Sequence, residues 1–158
     1  MALPEHFLTY MKDVAALPES AQDWVAAAYE EAMPLTHESL DDLIVGDYFE
    51  GGERRIEEVW FFTDRYAVLV PFLKLSPGYA HVYVFPMEGR VTGMEVTATD
   101  YPLAGGLPAD AQPGRWVSTS SLVLNFGLAG GGSGIVRAVR GNCDALYSVV
   151  TKYFQRWL

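Results

Sequence analysis

The sequence predicts an α+β fold: a strongly bent antiparallel β-sheet or barrel, closed by a C-terminal amphipathic helix and preceded by two short N-terminal helices. Three observations carry this prediction. In the last seventeen residues, Leu146, Val149, Val150, Tyr153, Phe154 and Trp157 recur at i, i+3, i+4, i+7, i+8 and i+11, which is one stripe of a helix. The middle of the chain is a succession of β-prone runs separated by turn residues. The first third is helical in pattern and strongly acidic. A bent antiparallel sheet leaves an open end, and a helix with a broad aromatic face covers it.

The elements follow in order. Pro4 suits a first helical turn, and Phe7, Leu8, Met11 and Val14 share one face of a helix over residues 5–16. A second helix is expected from Ser20 to Met33, with Ser20 and Asp23 as a capping box and Trp24, Val25, Ala28, Tyr29 and Ala32 as its stripe. Pro34 is expected to end it, and residues 39–44 to add a short helical turn capped by Ser39. Val59–Phe62 and Ala67–Leu73 read as strands joined by the turn Thr63-Asp64-Arg65. In Ala80–Pro86, Val82 and Val84 fall on one face and His81, Tyr83 and Phe85 on the other. Val91–Asp100 is a further strand. Residues 101–114 are rich in Pro, Gly, Ala and Asp and read as a long loop. Trp116–Leu128 and Ile135–Arg140 are strands around a glycine-rich turn, Gly130–Gly134. Asn142 is placed to cap the closing helix, with Asp144 near its positive end.

Composition bounds the class. A chain of 158 residues, half of them hydrophobic, can bury a full core without disulfides or metal. A single cysteine, Cys143, excludes an internal disulfide and points to a reducing compartment. The N-terminus lacks the basic start and apolar run of a signal peptide, and no segment approaches the ~18 apolar residues of a spanning helix. The expected location is the cytoplasm. The net charge of −9 is uneven: residues 1–53 hold twelve acidic residues against the single basic Lys12, whereas residues 54–158 hold eight acidic and ten basic ones. This argues against nucleic acid and against strong membrane binding as partners. Residues 1–42 therefore read as a helical acidic extension and 43–158 as a β-rich domain.

The β-rich part resembles a bacterial pleckstrin-homology-like (PH-like) domain. Three stretches carry the resemblance: Phe62-Thr63-Asp64-Arg65-Tyr66-Ala67-Val68-Leu69, similar to a Thr-Asp/Asn-x-Arg strand opening; Leu122–Gly127 followed by a turn and Gly134–Ala138; and the Asn-led helix Asn142–Phe154. The resemblance implies a PH-like fold and a generic scaffold role. Phosphoinositide-binding members put several basic residues in the first hairpin. This chain has Arg65, with Asp64 adjacent, and Lys74 further along, so a lipid-headgroup site is disfavoured by charge.

No constellation for catalysis emerges. The glycine-rich turn lacks the Gly-Lys-Ser/Thr of a phosphate loop and reads as a hairpin tip. His37/Asp41 and Glu38/Asp42 have helical spacing, but His6, His37 and His81 are too few and too scattered to complete a metal site. Cys143 falls in a first helical turn, where the dipole favours a thiolate, yet only the distant His81 could serve as its base. Glu57 and Glu58, adjacent on a strand, are expected to face opposite ways and not to form a dyad. No metal or cofactor is called for.

The reading is a non-catalytic binding or assembly module presenting a surface to a protein, a peptide or a second copy of itself. Its candidate residues are Trp116, Ser118, Ser120, Tyr83 and Tyr66, near predicted strand ends where aromatics favour contacts. Two sites are expected: the groove between the closing helix and its neighbouring strand, or a strand edge at Trp116–Ser121 where a peptide adds by backbone pairing. The alternative is a small α+β enzyme or ligand-binding protein with a pocket between sheet and helices.

Overall fold

The structure, a computed structural model, describes residues 3–36, 39–72, 75–76, 79–86, 91–97, 121–127, 133–139 and 141–154. Helix α1, Glu5–Thr9, runs straight into a π-helical turn, Tyr10–Val14. Ala16 then adopts a left-handed conformation at φ +47°, and the Leu17 N–H reaches back to the Met11 carbonyl at 2.8 Å. A left-handed alanine costs roughly 1–2 kcal/mol, and the packing around it offsets that cost.

Helix α2 is longer than its signals suggested, Glu19–Thr36. Ser20 is its second residue and not its cap. Pro34 lies inside the last turn and does not end the helix. A proline there disturbs only a carbonyl near the terminus, and the Thr36 hydroxyl donates to the Met33 carbonyl at 3.2 Å, tightening that turn.

The helical turn expected at 39–44 is instead the start of strand β1, Asp42–Glu50, paired with β2, Glu53–Phe62. Their hairpin turns on Gly51 and Gly52, both at positive φ, +60° and +82°, as a two-residue type I′ turn requires. Strand β3, Tyr66–Pro71, follows a turn held by Thr63, whose hydroxyl accepts the N–H of Arg65 at 3.0 Å and of Tyr66 at 2.8 Å. Strands β4 (Leu75–Ser76) and β5 (Tyr79–Ala80) pair with each other, and β6 (Tyr83–Pro86) joins the main sheet in the order β1-β2-β3-β6. Strands β7 (Val91–Thr97), β8 (Ser121–Gly127) and β9 (Ser133–Val139) form a second antiparallel sheet in sequence order. Helix α3, Asn142–Tyr153, ends the described chain.

Among the described residues no backbone ladder closes the two sheets into a barrel. They meet where β1 lies alongside β9. The first sheet is buried on both faces. Val45, Val59, Phe61, Val68 and Val70 pack on Phe7, Met11, Val25, Ala28 and Tyr29 of the N-terminal helices. Ile44, Trp60, Phe62 and Ala67 pack on the second sheet and α3. That two-sided burial is why Val59-Trp60-Phe61-Phe62 is an unbroken apolar run.

The closing stripe behaves as its spacing predicts. Leu146, Val150 and Phe154 are buried against the sheets, while Trp157 lies outside the described residues. Asn142 departs from its expected role: it makes no cap and turns inward, for a reason the site makes plain. The loop at 101–114 and Gly130–Gly132 also lie outside the described residues.

Candidate functional site

Two buried carboxylates flank one irregularity in the β1–β2 ladder. Gly46 pairs with Glu58 and Asp47 with Ile56, so Glu57 is left over as a β-bulge. A Cβ at Gly46 would meet Glu58 Oε1, so any larger residue here would require the glutamate's carboxyl end to shift. The Glu58 side chain thus folds over bare backbone.

The bulge overturns the expected opposite orientation of Glu57 and Glu58. Strict alternation fails at the extra residue, and both side chains line one cleft of about 290 Å³ between the two sheets. The other walls are Trp60, Leu69, Pro71 and Phe85 of the first sheet and Gly134 and Ile135 of β9. Aromatic rings continue outward from it. Trp60 lies 6.3 Å from Phe85, Phe85 stacks 6.3 Å from Tyr83, and Tyr83 stacks 4.6 Å from His81.

Glu58 is only 5% exposed. Among the described residues its hydrogen-bond donor is the Trp60 indole, Nε1–H to Oε1 at 3.2 Å. Burial pushes its carboxyl up to about 7, and the neighbouring Glu57 charge adds to the rise. Glu57 is treated differently. Its Oε2 accepts Arg137 Nε at 3.0 Å and Nη2 at 2.8 Å, and the Arg137 guanidinium lies 4.2 Å over the Tyr48 ring. Among the described residues the cleft therefore holds one carboxylate paired with arginine and one whose donor is an indole.

Asp47, one residue from Gly46, is fully committed. Its Oδ1 accepts the Val139 N–H and the Asn142 amide, each at 3.0 Å, and its Oδ2 accepts Arg54 Nε at 2.8 Å and pairs with Nη2 at 2.7 Å. Asn142 also donates to the Val45 carbonyl at 2.7 Å and accepts the Tyr10 hydroxyl at 2.5 Å. Tyr10 in turn accepts the Val45 N–H at 2.9 Å. This network uses the Asn142 side chain that sequence reading assigned to a helix cap. It joins the π-turn, β1, β9 and α3.

A second cleft of about 200 Å³ lies where α1, β1 and α3 meet, the region of the expected helix–strand groove. Its polar groups are engaged within the chain. Asp42 accepts Lys152 at 2.6 Å and the Tyr153 hydroxyl at 2.5 Å, and His6 Nε2 contacts the Asp41 carbonyl at 2.8 Å. In the Glu58 cleft, by contrast, a buried carboxyl lines the open volume.

The sequence-chosen residues separate. Tyr83 is 37% exposed and pairs with Leu69, on the inter-sheet face beside the cleft. Tyr66 is half-buried on the opposite, helix-covered face, where Arg65 lies 5.8 Å from its ring. The two tyrosines cannot form one surface. Trp116, Ser118 and Ser120 lie outside the described residues. Ser121, the described end of that stretch, pairs with both Thr97 and Val139 and so is not at an edge. His37 and Glu38 lie outside the described residues, and no group of three His, Cys, Asp or Glu that could hold a metal occurs among those described. Cys143 is buried, its thiol donating to the Ala138 carbonyl at 3.4 Å and pushed up to about 12 by burial. Desolvation outweighs the helix dipole there.

Glu58 and Arg137 were missed by sequence reasoning. The available signal was Gly46 inside a strand-like run, which marks a bulge or a close approach, opposite a glutamate that leads into Val59-Trp60-Phe61-Phe62.

No known protein family and no curated protein matches the chain. Among solved structures it is similar to the C-terminal domain of an unknown protein from Leishmania infantum, at 9% identity and a TM-score of 0.42, over 82% of this chain and 97% of that one.

Proposed function

We propose that the protein is a non-catalytic binding module on a PH-like scaffold, acting in the cytoplasm, and that it binds its partner through the inter-sheet cleft at Glu58. One observation carries the reading: a buried carboxyl whose donor among the described residues is one indole at 3.2 Å lines an apolar cleft of about 290 Å³. Buried polar groups normally find full partners, and a concave apolar site with few polar groups is the usual form of a binding pocket. The volume suits one side chain of a protein or peptide partner. The scaffold reading draws support from β1 lying beside β9 and from α3 packing on both sheets. Tyr83, beside the cleft, extends the contact surface.

The test is a set of small fragments, aliphatic and aromatic, charged and neutral, followed by the Trp60 indole N–H resonance. The expected result is a saturable shift of that resonance for at least one chemical class, lost on Ile135→Trp, which fills the cleft. No shift with any class would overturn the reading.

A second reading, a proton-transfer enzyme, is favoured by the contrast of Glu58, pushed up to about 7, with Glu57 held by Arg137. Two neighbouring carboxyls in such different surroundings, one buried beside an indole and one paired with arginine, are the arrangement from which acid and base roles arise. A turnover abolished by Glu58→Gln would establish it over the binding module.

A further inference from the structure

We propose that the cleft takes an alkylammonium group on an apolar stem, such as a lysine side chain or a small free amine, with the ammonium seated on Glu58. This rests on the cleft being the binding site. The polar side chains among its walls are two carboxylates, Glu57 and Glu58, and the rest is apolar. Arg137 pairs with Glu57 from outside the walls, so among the described residues the carboxylate without a paired cation is Glu58. A buried carboxylate without a partner is costly, and a cation removes that cost. The aromatic rings of Trp60 and Phe85 are among the walls, and such rings attract a cation, while Leu69, Pro71 and Ile135 accept a methylene stem. An anion would meet two acids, and a neutral group would leave the charge of an ionised Glu58 uncompensated.

Binding then moves a proton. In the empty cleft Glu58 is protonated in part at neutral pH. The charged groups acting on it are Glu57 on its own strand, Asp47 on β1 and Arg137 on β9. β3 and β6 contribute the apolar Leu69, Pro71 and Phe85. As the ammonium docks, the Glu58 O–H bond breaks, the proton leaves to solvent, and an ammonium N–H donates to the carboxylate. Near the midpoint of about pH 7, about half a proton is released per ligand bound.

The experiment compares n-butylamine, 1-butanol and butyrate, each titrated into the whole chain at pH 8 and at pH 5. The Trp60 indole resonance reports occupancy, and calorimetry in two buffers of different ionisation enthalpy reports the proton. The expected result at pH 8 is binding of the amine roughly tenfold or more tighter than the alcohol, with no binding of butyrate. The preference should shrink at pH 5, and Glu58→Gln should abolish it. Equal binding of amine and alcohol at pH 8 would overturn the ammonium assignment and leave the cleft reading standing. No Trp60 shift with any of the three would overturn the assignment. Should Glu58→Gln fail to fold, the wild-type pH dependence decides alone. A capped lysine that matches butylamine identifies a protein side chain as the source. One that binds tenfold more weakly identifies a free amine.

Discussion

Asp47 and Glu58 are both buried carboxylates, and both sit at the same bulge. Burial raises the pKa of each. What separates them is the number of donors. Asp47 meets the Asn142 amide, the Arg54 guanidinium and the Val139 N–H, so its charge is held by the fold. Among the described residues Glu58 meets one indole. The first carboxylate tells which elements pack together, and the second tells where the fold remains incomplete. Position and burial alone would not distinguish them.

The largest effect expected from breaking this comparison is at Asp47. Asp47→Ala strands Arg54, the Asn142 amide and the Val139 N–H. Removing one partner of a buried pair costs about 3–5 kcal/mol, so the urea midpoint should fall sharply. A midpoint within error of wild type would show that the network contributes nothing.

Glu58 should respond in the opposite direction. Its folded pKa of about 7 lies above the ordinary 4.5. The stability tied to its proton is therefore complete below about pH 4.5 and is lost as pH rises through about 7. The shift corresponds to roughly 3 kcal/mol. Glu58→Gln should stabilise the protein by up to that amount at pH 8 and leave it near wild type at pH 4. Equal effects at both pH values would remove the titration from the account.

Gly46→Ala should act on Glu58 through space. The new methyl collides with Oε1 and drives the carboxyl into the cleft, with an overpacking cost of about 1–3 kcal/mol. Thermal melting reads the cost, and a moved Trp60 indole resonance reads the displacement. An unmoved resonance would mean that the side chain has another route.

The smallest change is at the half-exposed pair. Glu57→Gln should alter stability by less than about 1 kcal/mol. It should still lower the Glu58 pKa, because a like charge is removed. A midpoint that stays or rises, followed by the Glu58 side-chain carbonyl, would contradict this.

The sequence was readable where period and burial agree. The closing helix, the β2–β3 turn at Thr63 and the two faces of Tyr83–Pro86 follow from local chemistry. Strand β1 was not read, because Gly46 and Asp47 interrupt its apolar run. Those residues are the bulge and the centre of the polar network. The cleft escaped for the same reason: alternation puts Glu57 and Glu58 apart, and the rule fails at an inserted residue. Asn142 resembled a cap because nothing local reveals a carboxylate 95 residues earlier. Tyr66 and Tyr83 were both named for lying near strand ends, and antiparallel pairing places them on opposite faces.

The span of the Asp47 network bears on synthesis. Tyr10 and Asn142 are 132 residues apart, and Asp47 and Asn142 95. At ~5–20 residues per second on the ribosome, the N-terminal helices and first sheet wait many seconds for β9 and α3. During that wait the outer edge of β1 is not yet covered by β9, and an exposed edge is the kind of strand that recruits other chains. An inward-facing charge keeps such an edge hydrated, and Asp47 supplies it until Arg54 is joined by Asn142 and Val139. Nascent chains stalled before residue 133 should stay dispersed with Asp47 and aggregate with Asp47→Val. Thus the group that locks the finished molecule also guards the unfinished one.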